Sequence, residues 1–167
     1  WGVFNSTMHL TEKEAAIRVK SELENDDNRD KQLTLSHTII DADGNVVARA
    51  EQRVGIAAGS RGTDEQTISV PDPVLWNLDN PYLYTLRSTL TEGKRLVDEV
   101  DNVLGIRTIE YPLDKGFLLN GQQVKMKGVN LHHDGGAVGA FAVVDNLLVR
   151  RLVLLGGALD GAFHILF

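Results

Sequence analysis

Apolar and polar residues alternate along the first two thirds of the chain, which is typical of β-strands that bury one face and expose the other. In the first clear run Ile17, Val19 and Leu23 share a face, and in the next run His37 falls on the same face as its apolar neighbours. The residues expected to be buried are Ile17, Val19, Leu33, Leu35, Ile68, Leu83 and Leu86. The pattern therefore predicts a series of strands around an apolar core.

Turn signals separate these runs at intervals of roughly 8–12 residues. The segment Gly59 to Gly62 predicts a loop, and prolines interrupt the stretch that follows. Residues 41–45 are similar to the start of a calcium loop, but the twelfth position is Gln52 instead of a bidentate glutamate, so a hairpin turn is the better interpretation. Seven or eight strands with this spacing, the last of them over residues 106–111, indicate a mainly β fold, an immunoglobulin-like antiparallel β-sandwich over residues 1–111.

The character of the sequence changes at about residue 112. Asn120-Gly121, between two short apolar runs, is a strong signal for a two-residue hairpin. The second run leads into a group of polar residues, which are Asn130, His132, His133 and Asp134. Residues 143–155 predict a helix. A hairpin, a strand and a helix after a sandwich indicate a second domain over residues 112–167, of which only the first elements are expected here.

The composition excludes some classes of partner but does not identify the partner. The 167 residues are 43% hydrophobic and 24% charged, so a packed core is expected and global disorder is not. The net charge of −6 argues against nucleic acid or an anionic membrane as the main partner. The absence of cysteine excludes disulfides and thiolate chemistry, and it leaves both the bacterial cytoplasm and the periplasm open.

Two residues of the polar group are candidates for ligand binding. His132 can donate a hydrogen bond to a ligand hydroxyl or can be satisfied by backbone in a loop, and Asn130 is equally consistent with a turn. His133 and Asp134 are adjacent in sequence and cannot easily converge on one ion, so no metal site is predicted. No signature of a Ser-His-Asp triad is present.

Aromatic residues around Trp76 and Tyr82 to Tyr84 leave a choice between a sugar-stacking platform and core packing. They occur at strand spacing beside a turn bounded by prolines. That setting favours packing, because aromatic side chains contribute most when they bury large apolar areas.

Three blocks of sequence resemble one known family. They are the segment Val74 to Leu86, which contains Leu-Trp and Asn-Pro-Tyr-Leu-Tyr, the segment Gly105 to Glu110, and the segment Gly116 to Asp134. Together with the opening Trp1 to Phe4 they extend the resemblance over residues 1–138. The family is glycoside hydrolase family 2, the β-galactosidase and β-glucuronidase group. Beyond residue 138 the sequence departs from the family pattern.

The resemblance implies a layout and an activity. The sandwich would be a scaffold, followed by the truncated first elements of a (β/α)₈ barrel. Such enzymes hydrolyse β-glycosides with retention through two glutamates, and both would lie beyond Phe167. The fragment alone is therefore expected to be inactive and to hold no cofactor. His132 matches a histidine that lines the sugar subsite, and Asn130 is assigned with it to substrate binding.

The resemblance also bears on the longer parent protein. It favours a β-galactosidase that acts on β-galactoside-type carbohydrates, with a divalent metal and a homo-oligomer both left open. Two alternatives from other classes are a free-standing β-sandwich for binding or adhesion and a spacer domain without a ligand. The block Gly116 to Asp134 separates them, since a free sandwich has no need of a hairpin that leads into polar residues.

Overall fold

The structure, a computed structural model, describes residues 2–126 and 128. The chain divides into two compact units, Trp1–Met126 and Lys127–Phe167. The strands of the described residues are β1 (Val3–Leu10), β2 (Glu14–Asn25), β3 (Lys31–Ile40), β4 (Val46–Ile56), β5 (Ser60–Pro71), β6 (Tyr84–Glu92), β7 (Arg95–Leu104), β8 (Ile109–Glu110), β9 (Leu118–Leu119) and β10 (Gln122–Gln123). The predicted helix over 143–155 lies outside the described residues.

Two antiparallel sheets make up the body of the first unit. One has the strand order β1-β2-β5 and the other β4-β3-β6-β7, while a small third sheet has the order β10-β9-β8. The longest ladder joins β2 to β5, with Glu14 opposite Pro71 at one end and Asn25 opposite Ser60 at the other. The predicted mainly β, antiparallel fold is confirmed for the described residues. Of the predicted second domain over residues 112–167 the described residues include the hairpin, while the barrel and the boundary between residues 111 and 112 stay predictions.

The core consists of two apolar clusters with a polar layer between them. The larger cluster comprises Ala15, Ile17, Val19, Ile39, Ile68, Val70, Tyr84, Leu86, Leu104 and Ile106. The smaller one comprises Leu33, Leu35, Val54 and Ile56. Between them lie the buried polar residues Ser21, His37, Asp64, Gln66 and Ser88. Along β3 the inward side chains therefore change from apolar to polar and back to apolar.

The predicted burial is confirmed for all but one of the residues expected in the core, and the prediction for that residue is wrong. Six of the seven residues expected in the core are buried, but Leu83 is 46% exposed. Strand β6 begins at Tyr84, and its inward positions are Tyr84, Leu86 and Ser88. Because side chains alternate along a strand, Leu83 and Leu86 cannot share a face, so the expectation for Leu83 broke the two-residue period.

Two further boundaries differ from the sequence-based expectation. The predicted loop from Gly59 to Gly62 is shorter, since β5 begins at Ser60 and Gly62 pairs with Leu23 of β2. The predicted strand over residues 106–111 is reduced to Ile109–Glu110. At both places the sequence pattern did not show the true end of the strand, because pairing across the sheet decides where a strand begins.

The predicted turn at residues 41–45 is confirmed as a hairpin turn. The Asp41 carboxylate accepts hydrogen bonds from the backbone N–H groups of Asp43 (3.0 Å) and Asn45 (2.8 Å) and from the Asn45 amide (3.1 Å). These donors, Asn45 first, hold the pKa of Asp41 below its usual range. The carboxylate is therefore committed to closing its own turn.

Candidate functional site

The hairpin of β9 and β10 is the last described pair of strands before the predicted ligand-binding residues. Asn130 and His132 themselves lie outside the described residues. Asn120 has φ 51° and Gly121 has φ 75°, the two positive values that define a type I′ turn. The two-residue hairpin predicted at Asn120-Gly121 is thus confirmed, with Leu118–Leu119 and Gln122–Gln123 as its strands.

Asn120 does more than form the turn, because its side chain joins two other segments. Its Oδ1 accepts a hydrogen bond from the Thr108 N–H at 3.0 Å, and its Nδ2 donates to the Trp76 carbonyl at 3.0 Å. Its own backbone N–H donates to the Thr108 carbonyl at 3.0 Å. An amide supplies a donor and an acceptor at once, so an ionised aspartate would make only one of the two side-chain bonds.

Trp76 is fixed from the other side by the segment that leaves the sandwich. Its backbone N–H donates to the Ile106 carbonyl at 2.9 Å, and the Arg107 guanidinium lies 4.8 Å from the centre of its ring, within the range of a cation–π contact. Gly105 lies beneath this pair. A Cβ there would come within 3.3 Å of Trp76 and 2.8 Å of Arg107 Nη1.

We call Trp76, Gly105, Arg107, Thr108 and Asn120 the hairpin joint. Trp76 comes from the first of the three family-like blocks, Gly105 to Thr108 from the second and Asn120 from the third. Segments up to 44 residues apart in sequence meet there. Sequence analysis predicted the turn but missed this anchoring role, for which asparagine rather than glycine or aspartate at the first turn position was the available signal.

The aromatic residues near the joint pack against the sandwich, as their spacing predicted. Tyr82 and Tyr84 meet edge to face with ring centres 4.9 Å apart. The Tyr84 hydroxyl accepts a hydrogen bond from the Val74 N–H at 2.8 Å, and the Tyr82 hydroxyl accepts one from the Ala42 N–H at 3.1 Å. Burial raises the pKa of the Tyr84 hydroxyl. The two hydroxyls therefore connect the aromatic pair to neighbouring loops.

A shallow surface concavity beside the joint is lined by Asn77, Asn80, Asn120 and Gln122 among others. Amides suit sugar recognition, yet two of these are already committed. Asn77 Oδ1 accepts from the N–H groups of Asp79 and Asn80 at 3.0 and 2.7 Å, and Asn120 is held by its own partners. These bonds commit Asn77 Oδ1 and the Asn120 amide to the turn structure.

Carboxyl groups with shifted pKa values have structural roles. A hydrogen bond from Lys31 lowers the pKa of Asp27, and one from Arg87 lowers that of Asp101. The Arg87 guanidinium donates two hydrogen bonds of 2.8 Å to the Asp101 carboxylate. The general acid of a glycosidase needs a raised pKa, so neither of these groups fits that role.

Within residues 2–126 and 128, no three His, Cys, Asp or Glu side chains come close enough together to hold a metal ion. Nor does that range contain a helix with the length and apolar character needed to cross a membrane.

Comparisons with known proteins agree on one family. A model for glycosyl hydrolases family 2 matches residues 3–107. The β-galactosidase BoGH2A of Bacteroides ovatus is 35% identical over 155 residues, 93% of this chain and 18% of that protein. A β-glucuronidase of Formosa agariphila is 33% identical over 127 residues, 76% of this chain and 13% of that protein.

Solved structures give the same result. A family 2 glycosyl hydrolase from Bacteroides cellulosilyticus matches with a TM-score of 0.77 at 34% identity, covering 93% of this chain and 22% of that one. A Bacteroides uniformis β-glucuronidase matches with a TM-score of 0.70 at 29% identity, covering 92% and 19%. The chain spans between 13% and 22% of the length of these four proteins. By the extent of these matches, the chain belongs to glycosyl hydrolase family 2.

Proposed function

We propose that this chain is a fragment of a retaining β-glycosidase whose preferred substrate is a β-galactoside. Family membership supports a glycosidase parent. The hairpin joint is the observation that carries the proposal, because the three blocks on which the resemblance rests come together there around Asn120. Relatives include both β-galactosidases and β-glucuronidases, so the choice of galactoside is the part most in need of a test.

The role proposed for the described unit is that of a scaffold. Its core fixes the sandwich, and the joint holds the hairpin to the sandwich by directed bonds. The reaction in the parent uses two carboxyl groups roughly 5–5.5 Å apart, one as nucleophile and one as acid and base. We place both in residues after Phe167. The chain alone therefore hydrolyses no glycoside.

His132 and Asn130 are proposed as substrate-binding residues of the parent. A histidine that donates to a sugar hydroxyl accelerates the reaction only if that bond strengthens in the transition state. Removing such a donor costs roughly 100-fold in kcat/KM. A divalent metal and a homo-oligomer in the parent stay predictions.

The test compares the parent with the 167-residue chain on chromogenic β-galactosides and β-glucuronides. We expect the parent to cleave the galactoside faster, to release the β-anomer first in an NMR time course, and the chain to show no turnover. Faster cleavage of the glucuronide would change the proposed substrate from a β-galactoside to a β-glucuronide. No turnover of any glycoside by the parent would contradict the proposal and favour a sandwich that only binds.

The site assignment needs its own pair of variants in the parent. We expect His132→Ala to lower kcat/KM about 100-fold, while the neighbouring His133→Ala, which has no proposed role, stays close to the parent value. Circular dichroism checks that both variants are folded. Equal kcat/KM values for the two variants would show that His132 is an ordinary loop residue.

A further inference from the structure

His37 occupies an unusual position for a titratable side chain. It is fully buried on β3, between the larger and the smaller apolar clusters. The ring lies between two serines of neighbouring strands: Nδ1 is 2.8 Å from Ser88 Oγ on β6, and Nε2 is 3.3 Å from Ser21 Oγ on β2. Ser21 and His37 belong to different sheets, so the imidazole bridges the sandwich.

The two serines satisfy the imidazole in either protonation state. A hydroxyl can donate or accept, so a neutral ring donates to one serine and accepts from the other, and a protonated ring donates to both. Hydrogen bonding therefore does not decide the charge of His37. What decides it is the cost of placing a cation between two apolar clusters.

Few charged groups face the ring from the surrounding strands. On β5, Asp64 is buried and favours the cation, but its carboxylate already accepts a bond from Gln66 Nε2 at 3.0 Å. On β6, Tyr84 is neutral at the pH values concerned. On β7, Asp98 is exposed and lies opposite Leu90, and Asp98 and Glu99 line a surface cavity together with Glu22 and the two serines. The inward positions of β2 are uncharged from Ala15 to Asn25.

We propose that His37, with Ser21 and Ser88, forms a pH-sensitive clasp between the two sheets, which stabilises the fold while the imidazole is neutral and destabilises it when protonation in mildly acidic conditions places a cation between the apolar clusters. No glycosidase activity enters this inference, which concerns the folded chain itself. Its physical basis is the position of a titratable bridge between two apolar clusters.

The direction of the effect follows from linkage. Burial lowers the pKa of His37 below 6.5, and Asp64 offsets this only in part. Between the lowered value and 6.5 the unfolded chain binds one more proton than the folded chain. Stability from the neutral imidazole is therefore complete above pH 6.5 and is lost as pH falls, with the folding constant changing by up to about tenfold per pH unit.

The first experiment measures urea unfolding of the full chain between pH 7.5 and 5.5. We expect the folding constant to fall with pH, and the slope to be abolished in His37→Gln, which cannot titrate. His9→Gln is the matched control, because His9 lies exposed on β1. An unchanged slope in His37→Gln would overturn the proposal.

A second measurement does not depend on the variant folding. NMR of the histidine ring carbons in the unmodified chain gives the titration midpoint of each histidine. We expect the midpoint of His37 to lie below its value in the urea-unfolded chain, and to fall further in Asp64→Asn, which removes the compensating charge. A His37 midpoint at or above the value in the unfolded chain would show that burial does not hold the ring neutral, and the clasp would be refuted.

Discussion

The larger apolar cluster and the hairpin joint hold the same unit together by different physics. The cluster gathers ten buried side chains from both sheets, and its stabilisation is roughly proportional to the apolar area removed from water, whatever the orientation of each contact. The joint depends on two directed bonds of one amide and on one stacked guanidinium. The comparison teaches that the cluster sets how stable the unit is, while the joint sets where the hairpin lies.

The largest expected effect comes from the cluster. Leu86 is fully buried, so Leu86→Ala should lower the free energy of unfolding by about 2–5 kcal/mol through lost burial and a residual cavity. Leu83→Ala is the control, and as a surface change it should stay within about 0.5 kcal/mol. Urea unfolding monitored by circular dichroism measures both. Similar losses for the two variants would put both leucines in the core.

Asn120 should give a smaller loss with a local signature. Asn120→Gly keeps the positive φ of the turn but removes both side-chain bonds, which should cost about 1–3 kcal/mol. Gln123→Ala on the same hairpin removes one exposed bond to the Lys115 carbonyl and should cost less. Amide hydrogen exchange at Thr108 would sharpen the comparison, since its N–H loses its acceptor only in the Asn120 variant. Equal protection of Thr108 in the two variants would contradict the anchoring role.

Two glycines make the smallest and most selective test. A Cβ at Gly105 would press on Trp76 and Arg107, whereas a Cβ at Gly62 meets nothing within 4 Å. Gly62→Ala should therefore raise stability by about 0.5–1 kcal/mol, and Gly105→Ala should fall short of that gain by about 1 kcal/mol. Tryptophan fluorescence should change only for Gly105→Ala. Identical behaviour of the two variants would mean that the joint is loosely packed.

The alternation of apolar and polar residues predicts those features of the fold that depend on a single strand. It placed His37 on the same face as Leu33 and Leu35, and the structure buries all three. It failed at Leu83, where a proline-bounded segment leads into β6 and the strand start could not be located from the pattern alone. The pattern also predicts Gly62 to be a loop residue, since glycine weakens a strand signal even where pairing supports the strand, and the structure places it in β5.

The hairpin joint and the His37 clasp could not be predicted from the sequence, because both depend on contacts between distant segments of the chain. Nothing local in the sequence joins Asn120 to Trp76, 44 residues away, or His37 to Ser88, 51 residues away. The hairpin turn was predictable, because its two residues carry the required backbone preference. The partners of a side chain depend on strand order, which alternation does not specify.

The β2–β5 ladder has a consequence for the speed of folding. It pairs residues 14–25 with residues 60–71, so the whole β3–β4 hairpin must be placed before the ladder can close at low entropic cost. Asn25 supports this order, because its amide donates to the carbonyls of Ile56 and Ala57 at the end of β4. The β3–β4 hairpin should therefore form early and β2 should pair with β5 from Asn25 toward Glu14, which makes formation of the β1-β2-β5 sheet the slow step of folding.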